Sequence, residues 1–318
     1  MIFDVRHITK IRYAALIRLA RFNLRLRPAS WPGQHVSDYQ LAVTPKPSTC
    51  VTEEGPYVVN ISRLMLGDPI VELTIESSFS VDVTPAQPPE AAATPSLAVL
   101  RQSVLARRGL SKFGPAPYLY PSLITQIEPE IAHWATPLLE KAETVMDAGI
   151  SLMRAIHDGF EYDTEATEAG TLPLEAFRKR RGVCQDFAHI MTAIARSWGI
   201  PCRYVSGYLY HKGAHDRSAA NATHAWVEAY LPSLGWVGFD PTNNIMGGER
   251  HIRAAVGRDY ADVPPTRGTY KGSADSELSI AVLLEPTAAP VRHEDFLRVA
   301  RPMASQRSEE HTSELQSH

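Results

Sequence analysis

Three residues of this sequence have the types and spacing for nucleophilic acyl chemistry. Cys184 stands in RRGVCQDFAHIMTAIARSW, His224 in NATHAWVEAY and Asp240 in GWVGFDPTNN, in that order along the chain. A thiol becomes an effective nucleophile when a base holds its proton and a third group orients that base. In such a triad the thiolate attacks a carbonyl and the imidazole delivers its proton to the leaving amine. The carboxylate fixes the tautomer and supports the imidazolium. Taken singly, each residue has a plainer reading. A lone cysteine is more often core, a strand histidine more often packs, and an aspartate before Pro241 commonly opens a turn. Jointly, in an aromatic and glycine-rich context, the three favour chemistry.

The elements that must position them can be read from periodicity. Phe187, Ile190, Met191, Ile194 and Trp198 recur at helical spacing, which predicts a helix starting at or near Cys184. Gly182 is expected to supply the turn into it. Free N–H groups and the positive end of the helix dipole favour a thiolate at that position, and Lys179, Arg180 and Arg181 add charge upstream. Gly199-Ile200-Pro201 ends the helix. Cys202–Tyr210, Thr223–Tyr230 and Gly235–Asp240 read as strands. Antiparallel neighbours place His224 beside Asp240, and a helix packed on that sheet offers Cys184 to the other imidazole nitrogen. His251–Val256 and Leu278–Leu284 are further strand candidates. Leu97–Leu105, Ile150–Phe160 and Leu172–Phe177 read as helices, Gly114–Pro121 and 211–222 as loops. Helices followed by antiparallel strands make an α+β arrangement.

Positions 1–85 read as a separate β-rich domain. In Val71–Thr84, apolar Val71, Leu73, Ile75, Phe79, Val81 and Val83 alternate with polar residues, a strand with one wet face. Asp38–Thr44 and Pro56–Met65 are weaker strands with a turn at Gly67-Asp68-Pro69. Ala14–Leu26 alternates apolar residues with arginines and fits a strand or a helix with a solvated basic face. A Pro/Ala-rich linker at 85–96 follows. The expected division is 1–85 as the β-rich domain, 86–149 as linker and helical segment, 150–285 as the core carrying the three residues, and 286–318 as tail. The last twelve residues, RSEEHTSELQSH, resemble an in-frame translation of a sequencing adapter and are set aside.

Composition narrows the partners. A formal net charge of −3 over 318 residues gives no electrostatic case for nucleic acid or an anionic membrane. Charged residues interrupt every apolar run near the N-terminus, so neither a signal peptide nor a membrane span is expected. Three scattered cysteines, Cys50, Cys184 and Cys202, lack zinc-ligand spacing and fit a reducing compartment, so a cytoplasmic location is expected. No metal and no cofactor are expected, because no acidic loop with ligand spacing is visible either. Oligomeric state is not encoded in any pattern found.

RRGVCQDFAHIMTAIARSWGIPCRYVSGYLY followed by THAWVEAYLPSLGWVGFDPTNN resembles the core of the bacterial transglutaminase-like superfamily. The N-terminal stretch 1–85 is similar to the small β domain that precedes that core in many bacterial members. The resemblance implies a papain-like α+β fold, a protein or peptide substrate, and Cys184 as nucleophile, His224 as base and Asp240 as orienter. It leaves the reaction open, since members include cross-linking transglutaminases, peptidases, amidases, deglycosylating enzymes and forms without catalysis. The oxyanion hole should include the N–H of Cys184. Gln185 and Tyr162 are candidates for a second donor, though structural places are the simpler reading of both. Trp226, a substrate-contact candidate, and Trp236 are expected around the site. Asp186 suits the first helical turn, and His189 is read as an ordinary helix residue. The expected activity is acyl transfer from a peptide or glutamine-type carboxamide through a thioester. The alternatives are a non-catalytic binding module on the same fold, or a thiol redox sensor if a second cysteine adjoins Cys184. Asp240→Asn is expected to be milder than loss of Cys184 or His224. Cys184 should alkylate faster than Cys50 or Cys202 at neutral pH. Limiting iodoacetamide with peptide mapping measures this, and equal labelling of all three would count against a reactive thiol.

Overall fold

The structure is a computed structural model describing residues 1–84, 94–107, 109–213, 216–232 and 234–287. The linker at 85–96 lies outside the described residues except for 94–96, as does the tail from 288 onward. The N-terminal sheet is built on β1 (Ile2–Leu24), a 23-residue strand. The basic alternating segment from Ala14 is therefore strand as far as Leu24. Ile17, Ala20, Phe22 and Leu24 face inward while Arg18, Arg21 and Asn23 are exposed. A register shift between Arg18 and Ala20, with Leu19 at φ 48°, divides the strand into two differently paired halves. Besides β1 the sheet contains β2 (Gln34–Thr44), β3 (Thr49–Glu54), β4 (Asn60–Leu66) and β5 (Ile70–Val83) in the order β2-β5-β1-β4-β3. β3 had no sequence signal because all six of its residues are exposed, which removes the burial alternation that marks a strand.

A helical layer follows. It comprises α1 (Leu97–Leu105), α2 (Pro129–Glu140), α3 (Val145–Gly159), β6 (Glu161–Tyr162), α4 (Pro173–Lys179), β7 (Arg181–Gly182) and α5 (Cys184–Ser197). α2 escaped sequence reading because Pro137 sits inside it. Within α5, every residue from Asp186 to Arg196 is buried, so the helix is covered on all sides rather than along one stripe. Phe187, Ile190 and Ile194 are wholly buried, each worth about 1.5–3 kcal/mol of apolar transfer. Buried Arg196 is held by the carbonyls of Tyr118, Cys202 and Arg258 and the hydroxyls of Ser122 and Thr125.

The second sheet is antiparallel: β8 (Cys202–Leu209), β9 (His224–Leu231), β10 (Gly235–Asp240), β11 (Ile245–Met246) and β12 (His251–Gly257), in the order β11-β10-β9-β8-β12. Ala225, Val227 and Ala229 share a core with α5. Trp226 packs in a separate cluster with Val58, Val205 and Val256, backed by Ala29 and Trp31. Phe3, Val5 and Phe79 of the first sheet join Tyr208, Ile252 and Ala254 of the second in a third cluster. No helix among the described residues is long and apolar enough to cross a membrane.

The expected boundary at 285 is corrected by the chain's return. β13 (Thr266–Lys271) and β14 (Ser276–Pro286) do not extend the second sheet but pair with β1, β14 along its first half and β13 along its second. The N-terminal sheet is thus discontinuous in sequence, and the two sheets share cores. Each half of β1 lies between two neighbours, one of them from the C-terminal return. A fragment 1–84 would expose that edge along its whole length. It should show little cooperative unfolding by circular dichroism, and co-expression with 264–287 should restore it. A fully cooperative 1–84 fragment would refute this.

Candidate active site

Cys184 opens α5 and is half-buried. The first helical hydrogen bond runs from the Phe187 N–H to the Val183 carbonyl (3.2 Å), so the Cys184 N–H has no intrahelical acceptor. Asp186 braces this end. Its Oδ2 accepts the Val183 N–H (2.8 Å) and the Thr167 hydroxyl (2.6 Å). Gly182 has a different role from the expected turn. A Cβ there would lie 2.6 Å from Asp186 Oδ2, so glycine is needed for close approach. The left-handed residue is Arg180, at φ 55°.

The basic flank does not face the thiol as expected. The Arg180 guanidinium lies over Phe177 (4.0 Å), Phe160 and Trp134. Arg181 pairs with Glu161 and Asp163, and Lys179 with Glu175. Local carboxylates and rings thus absorb these charges.

His224, the first residue of β9, is buried with its Nε2 2.8 Å from Asp240 Oδ2. Its buried Nδ1 has no hydrogen-bond partner within ordinary distance among the described residues, and the group that acts on the ring besides Asp240 is Cys184. Burial opposes charge on His224, but the Asp240 carboxylate and then the Cys184 thiolate outweigh it and lift the imidazole to about 10. Burial alone would raise Asp240. The charge and hydrogen bond of His224, followed by the hydrogen bond of His251, instead hold it well below the usual carboxylate range.

Asp240 receives five hydrogen bonds. Oδ1 accepts the backbone N–H of Thr242 (3.0 Å) and of Asn243 (3.2 Å). Oδ2 accepts His224, the Asn243 side-chain amide (2.9 Å) and His251 Nε2 (3.3 Å). Neither Asn243 nor His251 was a site candidate in the sequence analysis. Asn243 lies three residues beyond Asp240 in DPTNN, a turn signal in hindsight. His251 carried no spacing signal, because the chain makes an excursion through β11 before bringing it back.

Other candidates fall into place. Tyr162 pairs with Gly182 across the β6–β7 bridge, which brings its ring toward Cys184. Burial, then the Cys184 charge, raise the Tyr162 hydroxyl, while the Ala219 backbone N–H acts the other way. The Gln185 amide donates to the Ala169 carbonyl (2.9 Å), so it braces the 163–171 loop. Trp226 is wholly buried, lying near-parallel to His224 and edge-on to His251, and offers no surface for substrate contact. Trp236 packs on Tyr118, Tyr230 and Arg203, not around Cys184, His224 and Asp240. His189 Nε2 accepts the Tyr260 N–H, and burial pushes it down to about 4. Cys202 lies by Thr192, eight residues or about 12 Å along α5 from Cys184. Cys50 is on β3. Cys202, beside Thr192, is not placed to resolve an oxidised Cys184.

His224, Asp240 and His251 together have the donor types of a metal centre, with ligand atoms within 4.8 Å of one another. The surroundings do not fit one. A metal-bound histidine keeps its proton on the other nitrogen and donates it. His251 Nδ1 instead faces a donor, the Gly248 N–H at 3.2 Å.

The sequence matches the family model for the transglutaminase-like superfamily over residues 132–241 and that for the bacterial transglutaminase-like N-terminal region over residues 3–82. The chain belongs to the transglutaminase-like superfamily. An uncharacterized protein of Mycobacterium tuberculosis is 29% identical over 299 residues, covering 92% of this chain and 95% of that one. A Pseudomonas aeruginosa protein-glutamine gamma-glutamyltransferase is 33% identical over 135 residues, 38% of this chain and 20% of that protein. In fold, the chain is similar to a "Putative Cysteine Protease" from Cytophaga hutchinsonii, with TM-score 0.73, 22% identity and 92% of each chain covered. The transglutaminase-like, papain-like α+β fold is thus that of the superfamily.

The folded-state value of His224 lies above its ordinary 6.5, so its contribution to stability is complete below about 6.5 and is lost as pH rises through about 10. Asp240 works in the opposite sense. Its contribution is present above its ordinary 3.8 and is lost as pH falls through its depressed value. Nitrogen-15 NMR should find His224 still an imidazolium at pH 8. Cys184→Ala removes one of the raising charges, so the midpoint should fall. Equal midpoints in the two proteins would mean that thiol and imidazole do not face each other.

Proposed function

We propose that this chain is a cysteine acyl-transfer enzyme acting on a peptide or glutamine-type carboxamide. The observation that carries the reading is His224 held at Nε2 by Asp240, with Nδ1 on the side of Cys184. The Cys184 thiolate attacks the carbonyl carbon. The oxyanion is met by the Cys184 N–H and by the Tyr162 hydroxyl, which stays protonated near Cys184 because burial raises it. His224 passes its Nδ1 proton to the leaving nitrogen, the C–N bond breaks, and a thioester remains. Water or an amine then attacks, with His224 now the base, so hydrolysis and amine transfer share one intermediate. Similarity to the Pseudomonas protein-glutamine gamma-glutamyltransferase supports a glutamine carboxamide, and similarity to the Cytophaga cysteine protease supports a peptide. Placement in the cytoplasm rests on the scattered, unpaired cysteines.

Incubating the protein with a glutamine peptide, with and without a primary amine, and weighing the products separates the two outcomes. Cys184→Ala and His224→Ala should each lose about 10⁴–10⁶ in turnover, and the double variant should be scarcely worse, since the pair acts as a unit. A fully active, folded Cys184→Ala would end the proposal. Tyr162→Phe should cost about 10²-fold, the scale of one oxyanion donor. Asp240→Asn should be harsher than the sequence suggests. If the new amide keeps its oxygen on the two backbone N–H groups, its nitrogen confronts three donors. Turnover should fall about 10⁴-fold, and unfolding by urea should show roughly 2 kcal/mol or more of lost stability.

A further inference from the structure

His251 is a buried titratable group that the triad chemistry leaves without a task. It opens β12 and is 1% exposed. Its two nitrogens have opposite surroundings. Nδ1 faces the Gly248 N–H at 3.2 Å, so it must be the acceptor. The proton therefore sits on Nε2, which points at Asp240 Oδ2 from 3.3 Å. One backbone N–H thus selects the tautomer that makes His251 a donor to the triad carboxylate.

That donor acts where the carboxylate is free to turn. The terminal torsion of an aspartate is broad. Rotation about it would carry Oδ2 away from His224. Oδ1 is pinned by the two backbone N–H groups, while Oδ2 is pinned by side chains alone. His224 is the group to be positioned, which leaves Asn243 and His251 as the anchors. Trp226 touches both rings, 5.0 Å from His251 and 6.0 Å from His224 between centroids, and packs beside the pair, whose own centroids are 6.3 Å apart. Burial holds His251 below its ordinary value, and the charge on His224 pushes the same way against the pull of Asp240. One proton is then shared with each histidine, but only His224 carries charge.

We propose that His251 is a positioning residue whose Nε2–H holds Asp240 Oδ2 on the His224 side, so that the imidazole keeps Nδ1 turned to Cys184. The proposal rests on reading Cys184, His224 and Asp240 as a working triad. Its test needs no substrate. In the full chain, His251→Phe keeps a ring without a donor, and His251→Gln keeps a side-chain N–H. The readouts are the rate of Cys184 alkylation by iodoacetamide at pH 7, the nitrogen-15 shifts of His224, and thermal melting.

His251→Phe should slow alkylation about tenfold, the scale of a small misplacement of reacting groups, and should shift the His224 resonances. His251→Gln should recover the rate to within about threefold of wild type while melting no higher than His251→Phe. A wild-type rate in His251→Phe would overturn the proposal, as would a His251→Gln variant as slow as His251→Phe. If His251→Phe fails to fold, His251→Leu serves as the donor-free variant with the same outcomes. Alkylation that is no faster in wild type than in His224→Ala would sink the triad reading instead. In that case the His224 shifts alone decide, and unchanged shifts in the donor-free variant overturn the positioning role.

Discussion

A carboxylate sealed from water must have its charge answered by the chain itself, and Asp240 is where this protein meets that constraint. An unpaired buried charge would cost several kcal/mol or neutralise itself by taking a proton. Five donors from four residues prevent this. They come from three parts of the chain: the start of β9, the turn after β10 and the start of β12. The second sheet can therefore be understood as the frame that makes those parts converge. Its strand order sets β8 between β9 and β12, so His224 and His251 approach from either side of one strand. Gly207 on that strand faces His224, and a Cβ there would lie 2.0 Å from the Ile252 carbonyl. The two histidine-bearing strands can close on β8 only because that position has no side chain.

The same solution recurs further along the sheet. Glu228, two turns of the pleat from His224 on β9, is wholly buried and accepts from Arg203 (2.8 Å) and from Arg253. The Arg203 guanidinium lies between the rings of Trp31 and Trp236, at 4.1 and 4.0 Å. Trp31 belongs to the segment after β1, so the N-terminal region closes the sheet's second face. That gives this region a physical role without any contact to substrate. It covers Trp226 through Val58, Ala29 and Trp31, and Trp226 in turn supports both histidines around Asp240. Low dielectric around the carboxylate is what makes its hold on His224 strong.

Much of this was legible in the sequence where one physical rule acted alone. β10 has the expected bounds, and α1 the expected span, because alternation or helical spacing met no competing demand. The order Cys184, His224, Asp240 was legible because helix start, strand start and strand end are local events. What stayed hidden depended on partners distant in sequence. The strand near Leu278–Leu284 was visible as a strand, but its pairing with β1, at the opposite end of the described chain, was not. The charge of Arg180 looked like an influence on the thiol. Its ring partners include Trp134 and Phe160, on α2 and at the end of α3, which sequence adjacency cannot reveal. His251 looked like any strand-opening residue, since the Gly248 N–H that gives it a tautomer is a backbone group with no signature.

These observations resolve an apparent conflict between access and order. A nucleophile must be reachable, and Cys184 is half-buried at a helix start. Its base must be held in one orientation, and His224 is 3% exposed. The structure separates the two demands along the proton path, with accessibility falling from thiol to imidazole to carboxylate. Loops can serve the accessible end, and Thr167 and Ala169 of the 163–171 loop brace Asp186 and Gln185 there. Only strands and their turns serve the buried end, where every donor to Asp240 starts a strand or lies within three residues of one. Substrate preference can then change through the loops while the histidine–aspartate pair stays fixed. In the acyl-transfer reaction proposed above, the same buried pair then serves whichever acceptor the loops admit.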